Sequence, residues 1–396
     1  YLQLSKKYGS IFTIWKLTEP VVVLCGYEAV RDALLNHAEE FSARPFIPTL
    51  HIPSKGYGKI DINGPRWRPL RRFTISSLRN FGMGKKTMES RVLEERILNV
   101  TQIFFFQENH LTPYSFLACA VGNIISSVLF GEHFDYKDPK LHELMASTSR
   151  HIRSSLSPSH MFCNVFPFLL KLPVLPKILF KERAYLQNFL LKYIEEHKRT
   201  LKPEAPRDFT DHFLLKIKEE EHEEDPNFCD LSLLNVLVGL LAAGSETTDS
   251  TLKFCLAFMA HYPDVQVKVQ QEIDDLLPSQ RLVGIEDRLQ LPYTNAVIHE
   301  IQRVLDLAPT ALFHAVTKDI QFRGYTFPKG TIITPFLTSV LNDPSQWETP
   351  EKFNPGHFLD QEGQFRNRAA FMPFSAGEIF TTFTTTIIPK IPRIHR

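Results

Sequence analysis

The stretch from Asp230 to Met259 constrains this chain more than any other. After its leading Asp it reads LSLLNVLVGLLAAGSETTDSTLKFCLAFM, with no proline. At a rise of about 1.5 Å per residue it supplies about seven or eight helical turns. Val236, Leu240, Ala243, Thr247, Thr251 and Phe254 recur at helical spacing along one face. The other faces are mostly apolar too, so the helix is predicted to lie inside a large domain rather than on a surface. Its centre breaks that pattern, because AAGSETTDS puts small, charged and hydroxyl residues where leucine would pack better. Gly244 costs about 1 kcal/mol against alanine in a helix. A threonine hydroxyl there can bond back to a carbonyl one turn earlier. Two readings of this notch stand: a helix defect filled by water, or a place where something small and reactive sits.

The chain has 396 residues, 43% of them hydrophobic. That is ample for one large core or two packed subdomains. Basic and acidic residues nearly balance, 45 against 44. Nucleic acid as a partner would call for far more asymmetry, so it is excluded. Cys25, Cys119, Cys163, Cys229 and Cys255 are scattered and form no CxxC or zinc-like cluster. Their odd number suits a reducing compartment better than a disulfide-stapled domain. No run reaches 18 apolar residues, so no membrane-spanning helix is predicted. The chain opens at Tyr1 inside an apparent helix and is expected to be an internal piece of a longer protein.

Along the chain, a short helix is expected over Tyr1–Tyr8, then a hairpin from Ile11–Trp15 and Val21–Leu24. Gly26–His37 is predicted helical, with Val30, Leu34 and Leu35 inward. Phe41–Ile60 is rich in Pro, Gly and Ser and is expected to be an irregular loop, either covering a site or plainly solvated. Helices follow over Trp67–Asn80, Gly84–Asn99, Pro113–Leu129, Lys140–Ser157, Lys181–Lys198 and Phe209–Glu224. Asn164–Phe180 carries three prolines and cannot be one helix. It is either core or an exposed apolar patch that rests on a membrane surface with its lysines reaching head groups. After the central helix, Pro263–Leu276 and Pro292–Val304 are helical. Short strands are then expected at Ile320–Phe322, Gly324–Phe327 and Gly330–Pro335. The fold class is mainly α, with a small β portion contributed from both ends.

Three constellations carry chemistry. Glu300 and Arg303 lie three apart on one helix face, as a solvated pair or as a buried anchor for the loop around Asn354–Phe358. Trp67 and Arg71 share a helix face if Pro69 falls in the first turn. An indole N–H and a guanidinium together suit a carboxylate or phosphate. His314 is a further possible donor. In the notch, Thr247 could donate to a bound oxygen species, and Glu246 could belong to a proton path.

These residues together resemble the cytochrome P450 superfamily, and within it the microsomal family 2. Ala243-Gly244-Ser245-Glu246-Thr247-Thr248 is similar to the distal A/G-G-x-D/E-T-T motif, and Glu300-Ile301-Gln302-Arg303 to E-x-x-R. Trp67-Arg68-Pro69-Leu70-Arg71-Arg72-Phe73 is similar to W-x-x-x-R-R-F. His314 falls at a propionate-binding histidine. Phe353-Asn354-Pro355-Gly356-His357-Phe358 resembles the meander element, with His357 where other families have arginine. Phe371-Met372-Pro373-Phe374-Ser375-Ala376-Gly377 resembles the opening of the haem-binding loop. Against the pattern F-x-x-G-x-R-x-C-x-G, Ile379 stands at the arginine and Thr381 at the thiolate ligand, and no cysteine follows Cys255. A neutral hydroxyl cannot push electron density into iron as a thiolate does.

The resemblance implies a P450 fold over residues 1–377 as one catalytic domain. Residues 378–396 form a tail unlike the family, and the upstream anchor and hinge are missing. It implies haem b held by Trp67, Arg71, Ala243 and His314, with no metal ligand in this chain. Thr247 and Glu246 are the implied catalytic pair; Ala243, Thr247, Ala308 and Leu312 the implied substrate contacts; and Glu300, Arg303 and His357 the implied structural cluster. The implied reaction inserts one oxygen atom from O2 into a small apolar lipid, steroid or xenobiotic. NADPH-cytochrome P450 reductase and cytochrome b5 are the implied electron donors, on the cytosolic face of the endoplasmic reticulum. The alternative is a catalytically inactive chain without thiolate-ligated haem, acting as a scaffold or binding protein.

Overall fold

A computed structural model describes the chain except residues 17–18, 56, 58–66, 84–87, 96–112, 225, 277–283, 285 and 377–396. In chain order it contains α1 (Leu2–Tyr8), β1 (Ile11–Lys16), β2 (Glu19–Cys25), α2 (Tyr27–Arg31), α3 (Pro48–Ser54) and α4 (Trp67–Asn80). Residues 88–95 belong to α5. Then come α6 (Pro113–Leu129), α7 (Pro139–Ser155), α8 (Pro158–Val165), α9 (Leu175–Leu179), α10 (Lys181–Thr200), α11 (Phe209–Glu219) and α12 (Asp230–His261). The rest comprises α13 (Pro263–Leu276), α14 (Pro292–Leu305), β3 (His314–Ala315), β4 (Ile320–Phe322), β5 (Tyr325–Phe327), β6 (Ile332–Phe336) and α15 (Leu337–Leu341). The protein is mainly helical with a small sheet portion, as expected.

The backbone divides into two compact units. One joins Tyr1–Pro45 to Ser250–Arg396, and the other is Phe46–Asp249. In the first, the four-stranded sheet runs β1-β2-β6-β3. The β1–β2 hairpin is antiparallel, and β2 pairs in parallel with β6 from Val21↔Ile332 to Cys25↔Phe336. The two ends of the chain thus build one sheet. Under it Val22, Leu24, Val30 and Leu34 pack with Ile333, Leu337, Val340 and Trp347. The β4–β5 hairpin turns through Arg323 and Gly324, both at positive φ, the geometry of a tight two-residue hairpin turn. Arg323 is held there by Asp32 at 2.7 Å.

In the second unit, helix starts repeat one device. Asp138 caps α7 and Ser157 caps α8, each followed by proline at the first helical position. Asp208 caps α11 by accepting from the Asp211 N–H at 2.9 Å. The α11 aromatic Phe213 packs with Phe73 of α4 and with Phe228.

Two expectations need correction. The region expected to be an irregular loop contains α3, started by Pro48 and tied to α8 by the Thr49 N–H to Asn164 Oδ1 bond of 2.9 Å. The helix at Tyr27 widens into a π turn over Asp32–Asn36. That turn changes the inward face, so Leu34 is buried while Leu35 is exposed. The Gly84–Asn99 helix and the tail after Gly377 lie wholly or partly outside the described residues.

α12 runs unbroken for 32 residues. Among the described helices it alone is long and apolar enough to cross a membrane, yet 67% of its most apolar window is buried in the protein. It is a core helix, as its all-round apolarity predicts.

Candidate functional site

The notch on α12 keeps its helix by turning hydroxyls back on the backbone. Thr247 Oγ1 donates to Ala243 O at 2.6 Å, and Ser245 Oγ to Leu241 O at 2.5 Å. Ala243, Glu246 and Thr247 are half-buried. Thr248 is fully buried, and its hydroxyl has no partner among the described residues. Sequence reasoning passed over Thr248, since nothing in the residue type says which of two adjacent threonines is left unsatisfied.

On α4, Pro69 does fall in the first turn, so Trp67 and Arg71 share a face. The Arg71 guanidinium carbon lies 5.4 Å from the Trp67 ring centroid. An aromatic face stacked with a guanidinium leaves charge and an indole N–H on one side of the helix.

In the other unit, Glu300 and Arg303 form a fully buried pair on α14, 2.8 Å apart. Every N–H of the guanidinium is used. Nε and one Nη2 hydrogen go to Glu300, each at 2.8 Å. Nη1 serves Leu341 O and Pro350 O at 2.8 Å each, and Nη2 also reaches Lys352 O at 2.9 Å. Glu300 Oε1 accepts from the Asn354 N–H at 2.8 Å. His357 Nδ1 lies 3.2 Å from both Glu300 oxygens. The Thr349 N–H donates to His357 Nε2 at 3.2 Å, which places the ring proton on Nδ1, facing the carboxylate. The i,i+3 spacing was legible; the carbonyl partners were not, because a carbonyl carries no side-chain signature.

His314, in β3, is buried and donates from Nδ1 to Phe41 O at 2.7 Å. Burial, with the nearby Arg44 charge, pushes its pKa down to about 3, so the ring is neutral. Ala308 is half-buried and Leu312 exposed, on the segment between α14 and β3. Arg44, which sequence reasoning missed, holds that segment by donating to Leu312 O at 2.9 Å and Phe313 O at 2.8 Å.

The sequence matches the cytochrome P450 family profile over residues 1–378. The chain belongs to the cytochrome P450 family. Among similar P450s, cytochrome P450 2C3 of Oryctolagus cuniculus is 43% identical over 375 residues, covering 95% of this chain and 77% of its own length. Cytochrome P450 2C20 of Macaca fascicularis is 44% identical over 375 residues, covering 94% and 76%. Cytochrome P450 2C11 of Rattus norvegicus is 42% identical over 396 residues, covering 97% and 79%. P450s use haem b, and the family reaction is monooxygenation of lipids and xenobiotics. Microsomal P450s of this kind belong to the endoplasmic reticulum and draw electrons from a redox partner.

The residues present fit this cofactor on one side only. Trp67 and Arg71 offer N–H donors and positive charge of the kind that haem carboxylates take, whereas His314, neutral and with its one N–H on Phe41 O, offers neither, contrary to expectation. The thiolate position of the family pattern does not fit. Burial pushes the thiols of Cys25 and Cys119 up to about 11 and that of Cys255 up to about 12. These are neutral thiols, and none stands at the ligand position. Thr381, which does, lies outside the described residues.

Proposed function

We propose that this fold serves haem-dependent insertion of one oxygen atom from O2 into small apolar substrates. Electrons come from NADPH through the P450 reductase, with cytochrome b5 as a second donor, on the cytosolic face of the endoplasmic reticulum. We propose further that this polypeptide, with Thr381 at the ligand position, keeps the binding part of that function without thiolate-ligated haem. The observation that carries this is Thr381, which stands where the family pattern F-x-x-G-x-R-x-C-x-G has its cysteine. Haem, when bound, supplies the oxidising chemistry of the family; a threonine hydroxyl gives its iron no thiolate electron density.

The chain's own residues do the rest. Residues 1–377 act as one catalytic domain, and 378–396 as an atypical tail. Trp67 and Arg71 would hold the haem carboxylates and Ala243 would line the haem site, while His314 would join them only by taking a second proton or giving up its bond to Phe41 O. Thr247 and Glu246 handle protons. Thr247 places its hydroxyl hydrogen on Ala243 O. It donates only after releasing that carbonyl. Ala243 and Thr247 on α12, and Ala308 and Leu312 on the segment before β3, are the substrate-facing residues. Glu300, Arg303 and His357 are structural.

The test is spectroscopic. The full chain, loaded with haem, reduced and exposed to CO, is expected to lack the strongly red-shifted Soret band that thiolate ligation produces. A clear band of that kind overturns the second half of the proposal and restores the full family reaction.

A further inference from the structure

Asp306 ends α14 in the left-handed region, at φ 44° and ψ 52°, a conformation that non-glycine residues adopt at a cost. Its side chain is equally unusual. Oδ2 is hydrogen-bonded to Thr338 Oγ1 of α15, and Oδ1 is buried with no partner among the described residues. Thr338 Oγ1 also lies 3.3 Å from Pro309 O, and the Thr338 N–H donates to that same carbonyl at 3.2 Å. A threonine hydroxyl has one hydrogen. It cannot donate to an ionised Asp306 and to Pro309 O together. The hydroxyl hydrogen goes to Asp306 Oδ2, the much shorter of the two contacts, while Pro309 O takes the Thr338 N–H. Burial does hold this carboxyl above the ordinary range, with Thr338 working against it, and no charged side chain contributes to that balance. Thr338 thus grips both ends of the Leu307–Pro309 bend. Farther along, the Ala311 N–H donates to Pro335 O at 3.0 Å, and Arg44 holds the next two carbonyls.

We propose that Asp306 is a positioning residue for substrate selection. Asp306 accepts the Thr338 hydroxyl hydrogen, the Thr338 N–H donates to Pro309 O, and this relay fixes the 307–313 segment as a substrate-facing wall. The inference rests on the proposed substrate-facing role of Ala308 and Leu312. It goes beyond that role by naming what sets the wall's shape.

The test uses the full chain and four variants. Asp306→Gly keeps the left-handed backbone and removes the acid. Thr338→Val removes the relay. Asp306→Asn keeps an acceptor oxygen for Thr338 and tolerates the conformation. Ala308→Trp fills the wall. Hydrogen exchange of the 307–313 amides is expected to rise about tenfold in Asp306→Gly and Thr338→Val, no further in the double variant, and to stay at the wild-type rate in Asp306→Asn. Nile red affinity is expected to fall about threefold in the first two and to persist in Asp306→Asn. Exchange unchanged in Thr338→Val, or Asp306→Asn as fast as Asp306→Gly, overturns the relay. Faster exchange that spreads into α14 overturns a local positioning role in favour of general loosening. Looser 307–313 amides with undiminished dye affinity, while Ala308→Trp still weakens the dye, overturns the link to substrate. An Ala308→Trp variant that binds dye as the wild type does sinks the underlying wall assignment instead.

Discussion

Arg303 is a residue whose loss the chain should tolerate poorly. Its guanidinium is fully buried, and its five N–H groups serve Glu300 and three main-chain carbonyls. Removing it strands the Glu300 carboxylate and those carbonyls in a dry site. Breaking a buried pair from one side costs about 3–5 kcal/mol. Arg199 pairs with Glu196 at the surface, where solvent screens the pair and it adds little to stability. Arg303→Ala is therefore expected to lower the urea midpoint strongly and Arg199→Ala hardly at all. Equal shifts in the two melts would contradict the burial argument. At this scale the sequence announces pairs but not their surroundings. The Glu300–Arg303 spacing allows a solvated bridge as well as a buried one. Only the approach of Leu341, Pro350 and Lys352, 38 to 49 residues later, decides between them.

Among the elements, the segment Asn164–Phe180 joins the two readings that its composition left open. Cys163, Leu170 and Leu179 form a small core. Phe168, Leu172, Val174 and Ile178 stay exposed, with Phe168 at 62% and Ile178 at 67%. Lys171 and Lys177 sit among them. Apolar side chains interleaved with lysines suit the interface of an anionic lipid surface. Phe168→Asp combined with Ile178→Asp is expected to reduce co-sedimentation with anionic liposomes severalfold while leaving the melting temperature near wild type. Unchanged sedimentation would remove the membrane role. Elements with strong periodicity and proline starts were readable to within a residue or two, as Pro113–Leu129 and Pro263–Leu276 show. Leu35 was misplaced because a π turn shifts the helix face by a fraction of a turn, and side-chain type does not encode that. α3 was missed because Pro48 and Pro53 read as breakers, although one starts the helix and the other falls near its end. Of the candidate site, the residue types were legible in α4, α12 and α14, whereas Arg44 and Asp306 act through backbone carbonyls and a backbone angle.

For the whole molecule, acid should be more damaging than alkali around neutrality. Burial holds His151 and His299 at about 4 and His314 at about 3. Unfolded, each takes a proton near about 6.5. Their contribution to stability is present in full above that value and is lost as pH falls towards the folded values. His197 works the other way. Asp208, 3.0 Å away, raises its pKa against the effect of burial, so its contribution is present below about 6.5 and fades as pH rises through the folded value. The two effects fall in different pH windows, so below about 6.5 the lowered histidines act unopposed by His197, with His160 and His212 shifted in the same direction. The urea midpoint should therefore drop between about pH 6.5 and 4, with a net uptake of protons on unfolding. A flat profile across that range would refute this balance. Synthesis order gives the Arg303 cluster one more consequence. A chain made from its N-terminus exposes α14 to water before the carbonyls that will enclose its arginine exist, since Lys352 follows by 49 residues. Until then the nascent helix presents an ionic pair with no lid. Premature release, or a stall in that interval, should leave a species that chaperones hold and proteases find.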